Sequence, residues 1–127
     1  PVHPSWFQRG PPYLYKSSCH CGIMKFEVEG ELTQVVSCNC SICARKGALL
    51  WSVPRNQLRL LGSGAGVGSY SFNTNTIAHR FCQTCGMHPY AEDSGGGAER
   101  SAYVNVRCLE GVDPSGLPVI EFDGRSM

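Results

Sequence analysis

Apolar and polar positions alternate with period two over much of the chain. In "IMKFEVEG", Met24, Phe26 and Val28 fall on one face and Lys25, Glu27 and Glu29 on the other. That is the pattern of a half-buried strand, and Gly30 marks the turn that follows it. "SAYVNVRCL" repeats the pattern, with Ala102, Val104 and Val106 set against Tyr103, Asn105 and Arg107. "QVVSCNC", "ALLWSV" ending at Pro54, "LRLLG" and "LPVIEFDG" read as further short strands. "SYSFN" and "TIAHRFC" flank Asn73-Thr74-Asn75-Thr76, which predicts a hairpin, while "GSGAGVG" and "EDSGGGAER" read as loops. No stretch holds a helical apolar period; the best candidate is a single turn over residues 41–46. The pattern therefore predicts a mostly β, antiparallel fold with very little helix. The first dozen residues contain four prolines and read as an N-terminal arm over 1–12, leaving one domain over 13–127.

Composition narrows the picture. A chain of 127 residues suits one modest core. With 42% hydrophobic and 17% charged residues it is too apolar to be disordered. A net charge of +1 gives no strong nucleic-acid signal through phosphates. No apolar run approaches the roughly 20 residues of a transmembrane helix, so no membrane span is expected. "PVHPSWFQRGPPYLY" lacks the basic-then-apolar order of a signal peptide, so the expected compartment is cytoplasmic.

A small core needs staples, and there are eight cysteines. Cys19-His-Cys21 and Cys38-Asn-Cys40 are C-x-C pairs, whose thiols project to one side of an extended segment. That is awkward for a disulfide within the pair and convenient for two bonds to one metal ion, so metal is favoured over disulfides. "FCQTCG" has the form of a zinc knuckle: Cys82 and Cys85 grip a metal while the following Gly86 permits the tight turn. Such a pair supplies two ligands, and Cys19 with Cys21 can supply the other two. The resulting four-thiolate site is closed to substrate, and its role is folding.

Cys38, Cys40 and Cys43 remain. Three thiolates with an open fourth position have the general form of catalytic zinc, completed by water or by a substrate thiol. Free thiols, or a fourth ligand from a histidine or Cys108, are the alternatives. Arg45 and Lys46 follow at once and can offset the thiolate charge or meet a substrate carboxylate, as can Arg55. Cys108 reads as a buried small residue of a strand, and His20 as a surface side chain. His79 and His88 read as hydrogen-bonded histidines, and Trp51 and Tyr70 as core residues that could also wall a pocket.

"SCHCG", "CNCSIC" and "FCQTCG", followed by "VNVRCLEG", resemble the glutathione-dependent formaldehyde-activating enzyme family, which also includes centromere protein V. The resemblance runs from about Ser18 to the "EFDG" at 121–124 and includes "YSFNTNTIAHRFCQTCGMHPY". It implies a zinc-stapled β-tent of antiparallel sheets. It further implies that Cys19, Cys21, Cys82 and Cys85 hold a structural zinc, and Cys38, Cys40 and Cys43 a second, catalytic one. The implied activity is a carbon–sulfur lyase reaction, formally the condensation of glutathione with formaldehyde to S-(hydroxymethyl)glutathione. The implied partners are thus a small-molecule thiol and an aldehyde. The rival reading is a non-catalytic zinc-stabilised binding module of the centromere protein V type. Against it stand the near-neutral charge and the lack of a Lys/Arg-rich tail.

Overall fold

A computed structural model describes residues 13–72, 74–95 and 99–126. The expected arm over 1–12, Asn73 of the expected hairpin turn and residues 96–98 of the polar loop lie outside the described residues. The described chain is mostly β. Ten strands run in the order β1 (Tyr13–Ser18), β2 (Lys25–Gly30), β3 (Val35–Cys38), β4 (Leu50–Pro54), β5 (Leu58–Leu61), β6 (Val67–Tyr70), β7 (Ile77–Cys82), β8 (Tyr90–Asp93), β9 (Ser101–Asn105) and β10 (Val119–Phe122). Among the described residues a single α-helix, α1 (Ser41–Lys46), sits between β3 and β4, where the one expected helical turn falls. It stops at Gly47, which takes a left-handed φ of 66° that a residue with a side chain adopts at a cost.

The strands form two sheets. The smaller has the order β1-β2-β5, and the larger β10-β3-β4-β9-β8-β7-β6. Pairings are antiparallel except that β10 runs parallel to β3, Val119 opposite Val35 through Phe122 opposite Cys38. This last strand returns after a long connection from β9, so it can enter in either direction, which alternation alone does not decide.

The core lies between the sheets. The alternating faces pack as their pattern predicts: Met24, Phe26 and Val28 from one sheet meet Trp51, Val53, Tyr90, Ala102 and Val104 from the other. Phe26 stacks edge-on against Tyr90, and Trp51 against Tyr15. The Met24, Phe26, Val28, Val53 and Val104 side chains each contribute about 1.5–3 kcal/mol by leaving water. Tyr70, expected in the core, is instead 51% exposed, because β6 is the outermost strand of its sheet. Cys108 lies in a 3₁₀ turn, Val106–Cys108, rather than in a strand; its predecessor β9 ends where Asn105 caps that turn through a hydrogen bond from Arg107 N.

At the far side of the large sheet, Glu92 is buried among three arginines. Its carboxylate accepts from Arg55 Nε at 2.6 Å, Arg80 Nε at 2.8 Å and Arg100 at 2.8 Å. Burial works to raise the Glu92 carboxyl, but the hydrogen bonds and charges of Arg55 and Arg80 outweigh it and hold it below its ordinary value. A depressed carboxyl stabilises the fold above its unfolded pKa, and the contribution is lost as pH falls through the folded pKa. Glu92→Gln should therefore cost about 2–3 kcal/mol at pH 7, the burial cost of an unpaired charge cluster discounted for partly exposed guanidiniums. Urea unfolding at pH 7 and below pH 4 checks it: the gap between variant and wild type should narrow in acid, and a pH-independent gap contradicts the electrostatic account.

Candidate metal centres and the cavity

The turn between β1 and β2 brings Cys19 and Cys21 against Cys82, at the end of β7, and Cys85, in the turn that follows. The four sulfurs lie within 4.8 Å of one another; Cys19 and Cys21 are 3.7 Å apart, and Cys21 and Cys82 3.5 Å. A disulfide needs about 2.05 Å, and all eight cysteines are free thiols. A tetrahedron of sulfurs about 2.3 Å from a central zinc has edges near 3.8 Å, so the donor set fits such an ion. Backbone N–H groups point at the sulfurs, from Met24 to Cys19 Sγ at 3.2 Å and from Cys85 to Cys82 Sγ at 3.5 Å. The N–H groups of Cys21 and Met87 pull the Cys85 thiol down to about 6, the poise of a metal-binding thiolate. Cys108 stands close by, but burial first, and then the charges of Cys19 and Cys85, push its thiol up to about 11, so it stays protonated. His20 is exposed, as expected.

The second cluster is local. β3 delivers Cys38, Cys40 stands at the N-terminus of α1, and Cys43 lies on its buried side; the three sulfurs are within 4.8 Å of one another. Burial, and then the Cys40 and Cys38 sulfurs, raise the Cys43 thiol to about 12. For Cys40, burial is outweighed by the N–H of Cys43 and the neighbouring thiols, so its pKa is lowered. The neighbours thus favour the Cys40 thiolate and disfavour that of Cys43, and a divalent cation would let all three sulfurs carry charge together.

The C-terminal segment straps this cluster. Asn39 donates to Asp123 Oδ1 at 2.9 Å and accepts from Arg125 N at 2.9 Å, while its own N–H bonds Phe122 O. Gly124 is pressed so close that a Cβ there would lie 2.6 Å from Cys38 Sγ. Alternation could have flagged Asn39, since the middle residue of a C-x-C segment faces away from the thiols, but its partner lies 84 residues on.

Cys38, Cys40 and Cys43 open on a cavity of about 540 Å³ on the outer face of the large sheet. Lys46 shares it, with Nζ 3.2 Å from His79 Nδ1. An ammonium only donates, so Nδ1 accepts and the ring proton sits on Nε2. Burial, then the Lys46 charge, lowers His79 to about 4, so it is neutral at pH 7. Burial likewise lowers Lys46, against the opposing pull of the Cys43 and Cys40 sulfurs. His79 stacks on Phe72, and Phe72 on the exposed Tyr70. His88 also lines the cavity, stacked on Phe81; contrary to expectation, its Nδ1 is buried without a hydrogen-bond partner among the described residues.

Of the basic residues singled out from sequence, Lys46 alone is in the cavity wall. Arg45 is exposed and turns back to donate to Ser41 O at 2.8 Å on its own helix, and Arg55 is held by Glu92 in a separate cleft. The pairing of Lys46 with His79 escapes sequence reading, since 33 residues separate them.

Residues 14–118 match the family described as glutathione-dependent formaldehyde-activating enzyme. A crystal structure of a Rhodobacter sphaeroides protein from the Northeast Structural Genomics programme is 33% identical, with a TM-score of 0.70 over 82% of this chain and 98% of that one. The chain belongs to the glutathione-dependent formaldehyde-activating enzyme family. Among its described residues no helix is long and apolar enough to cross a membrane.

The strap makes a prediction. Asn39→Ala should lower stability by about 1–2 kcal/mol through the lost hydrogen bonds. In chelator-treated protein it should also speed alkylation of Cys38, read by mass spectrometry. An unchanged alkylation rate would mean that the C-terminal segment does not cover the thiols.

Proposed function

We propose that the protein is a zinc-dependent enzyme of the carbon–sulfur lyase type, condensing a thiol such as glutathione with a small aldehyde such as formaldehyde to an S-hydroxymethyl adduct. Two zinc ions per chain are proposed. Cys19, Cys21, Cys82 and Cys85 hold the structural one, and Cys38, Cys40 and Cys43 the second. The observation that carries the proposal is the difference in access. The three-thiol cluster opens on the cavity beside Lys46, and no member of the four-thiol cluster lines it.

Held by Cys38, Cys40 and Cys43, zinc would supply a lowered thiol pKa that would keep a substrate sulfur as thiolate at neutral pH. The chemistry then needs little from the protein. The sulfur lone pair forms the carbon–sulfur bond, the carbonyl π pair moves to oxygen, and the proton given up by the thiol ends on that oxygen. Nothing is oxidised or reduced. Lys46 provides the positive charge and relays the proton, giving one to the developing alkoxide and taking back the one that the thiol releases, while neutral His79 fixes its ammonium by accepting one of its hydrogen bonds. Among the described lining residues no carboxylate competes for that proton.

Magnitudes separate the two metals. A structural zinc contributes about 10–16 kcal/mol on binding, as much as the whole net stability of a small domain. The four-thiol site joins residues up to 66 apart in number, Cys19 to Cys85, whereas the other closes a loop of a few residues and releases little chain entropy. Cys82→Ser should leave the protein largely unfolded. Cys40→Ser should fold with a nearly unchanged Tm, lose one zinc by metal analysis and lose thiol–aldehyde turnover. An active Cys40→Ser variant would sink the catalytic assignment, and an unfolded one would make the site structural. Lys46→Met should lower kcat about 100-fold or more with zinc content intact; unchanged kcat removes Lys46 from the mechanism.

A further inference from the structure

The cavity is larger and less polar than a one-carbon aldehyde requires. Two non-hydrogen atoms take up about the volume of two waters, at about 30 Å³ each, roughly a tenth of the 540 Å³ present. The walls carry Val36, Ile42, Leu50, Phe72, Ile77 and Phe122, beside uncharged polar side chains such as those of Ser52, Tyr103 and Asn105. Lys46 is the one formally charged side chain among the described lining residues other than the cysteines, and no Asp, Glu or Arg is present. Glutathione carries two carboxylates and an ammonium. Inside, the ammonium would find no acidic partner and the carboxylates one lysine between them, and each charge buried without a partner costs several kcal/mol. Its charged ends therefore belong in water, with only the thiol reaching the cysteine cluster.

What is left for the apolar walls to receive is the substituent on the carbonyl carbon. We infer that the aldehyde substrate carries a hydrocarbon or aromatic body that fills this cavity, with its carbonyl oxygen toward Lys46 and its carbonyl carbon toward the Cys38, Cys40 and Cys43 thiols. The inference rests on the proposed thiol–aldehyde reaction for its chemistry, and on the cavity wall alone for its ligand class. Each methylene taken from water into the cavity contributes about 0.8 kcal/mol, close to fourfold in affinity. The outer aromatic stack of Tyr70 and Phe72 continues the apolar wall to the surface and offers a flat face to an entering ring.

The test separates binding from turnover. Linear alcohols from methanol to octanol serve as unreactive probes that keep the oxygen and vary the body. Their affinities for the purified protein are measured by NMR titration of the Ile42, Ile77 and Ala91 methyl signals. Affinity should rise about three- to fourfold per methylene until the chain fills the cavity, with shifts confined to these lining residues. Flat affinity, or shifts elsewhere, overturns the inference. Ile77→Trp, which fills the cavity, should abolish hexanol binding; Ile42→Trp is the second variant should the first fail to fold, and hexanol binding retained in a folded variant also overturns the inference. In a parallel arm, rate enhancement over the spontaneous glutathione reaction is compared for formaldehyde, hexanal and phenylacetaldehyde. The larger aldehydes should show at least tenfold greater enhancement, and greater enhancement for formaldehyde counts against the inference. If alcohols bind as expected while no aldehyde is turned over, the ligand class is supported and the thiol–aldehyde reaction is what fails.

Discussion

Two sheets of unequal size meet where four thiols converge at their common edge, and on the proposed function this convergence is the constraint that holds them in register. Cys19 and Cys21 sit in the turn of the small sheet, Cys82 at the end of β7 and Cys85 in the β7–β8 turn of the large one. Besides core packing, the sheets are joined among the described residues by little backbone pairing, such as the isolated bridge between Ser17 and Leu109. On the proposed function the metal closes that seam. It also fixes the β7–β8 hairpin, from which His79, His88 and Ala91 reach the cavity.

The large sheet then serves two purposes through strict alternation. Trp51, Val53, Ala102 and Val104 face the core, while Leu50, Ser52, Tyr103 and Asn105 between them face the cavity. On β7 the same period sends His79 to the cavity and Arg80 to Glu92. The arginine cluster is thus a structural clamp on the strands whose other faces carry the candidate site, which is why a charge so well buried lies outside the proposed chemistry.

Much of this was legible in the sequence. The strands β2 and β9 announce themselves because their apolar residues, Phe26 and Val28 in one and Ala102 and Val104 in the other, recur every second position and are buried as that period requires. The cysteine groupings are legible for a different reason: C-x-C and C-x-x-C spacings have few geometric solutions besides a shared metal. β1 carries little strand signal, because "YLYKSS" adjoins a proline-rich stretch and its inward positions are Tyr15 and Ser17 rather than aliphatic residues. Contacts across the fold left no local trace. Lys46 against His79, Asn39 against Asp123 and Glu92 among three arginines each depend on which strands become neighbours, and periodicity carries no record of that.

The central claim is that one cysteine cluster is complete and the other keeps a place for a substrate sulfur. Zinc-edge X-ray absorption on the protein carrying two zinc ions, before and after adding glutathione, tests it without reference to turnover. The account predicts an average of about 3.5 sulfurs per zinc, the mean of three and four, rising to about 4 when the thiol binds. An average of 4 sulfurs from the start, or one that does not change with glutathione, would contradict it.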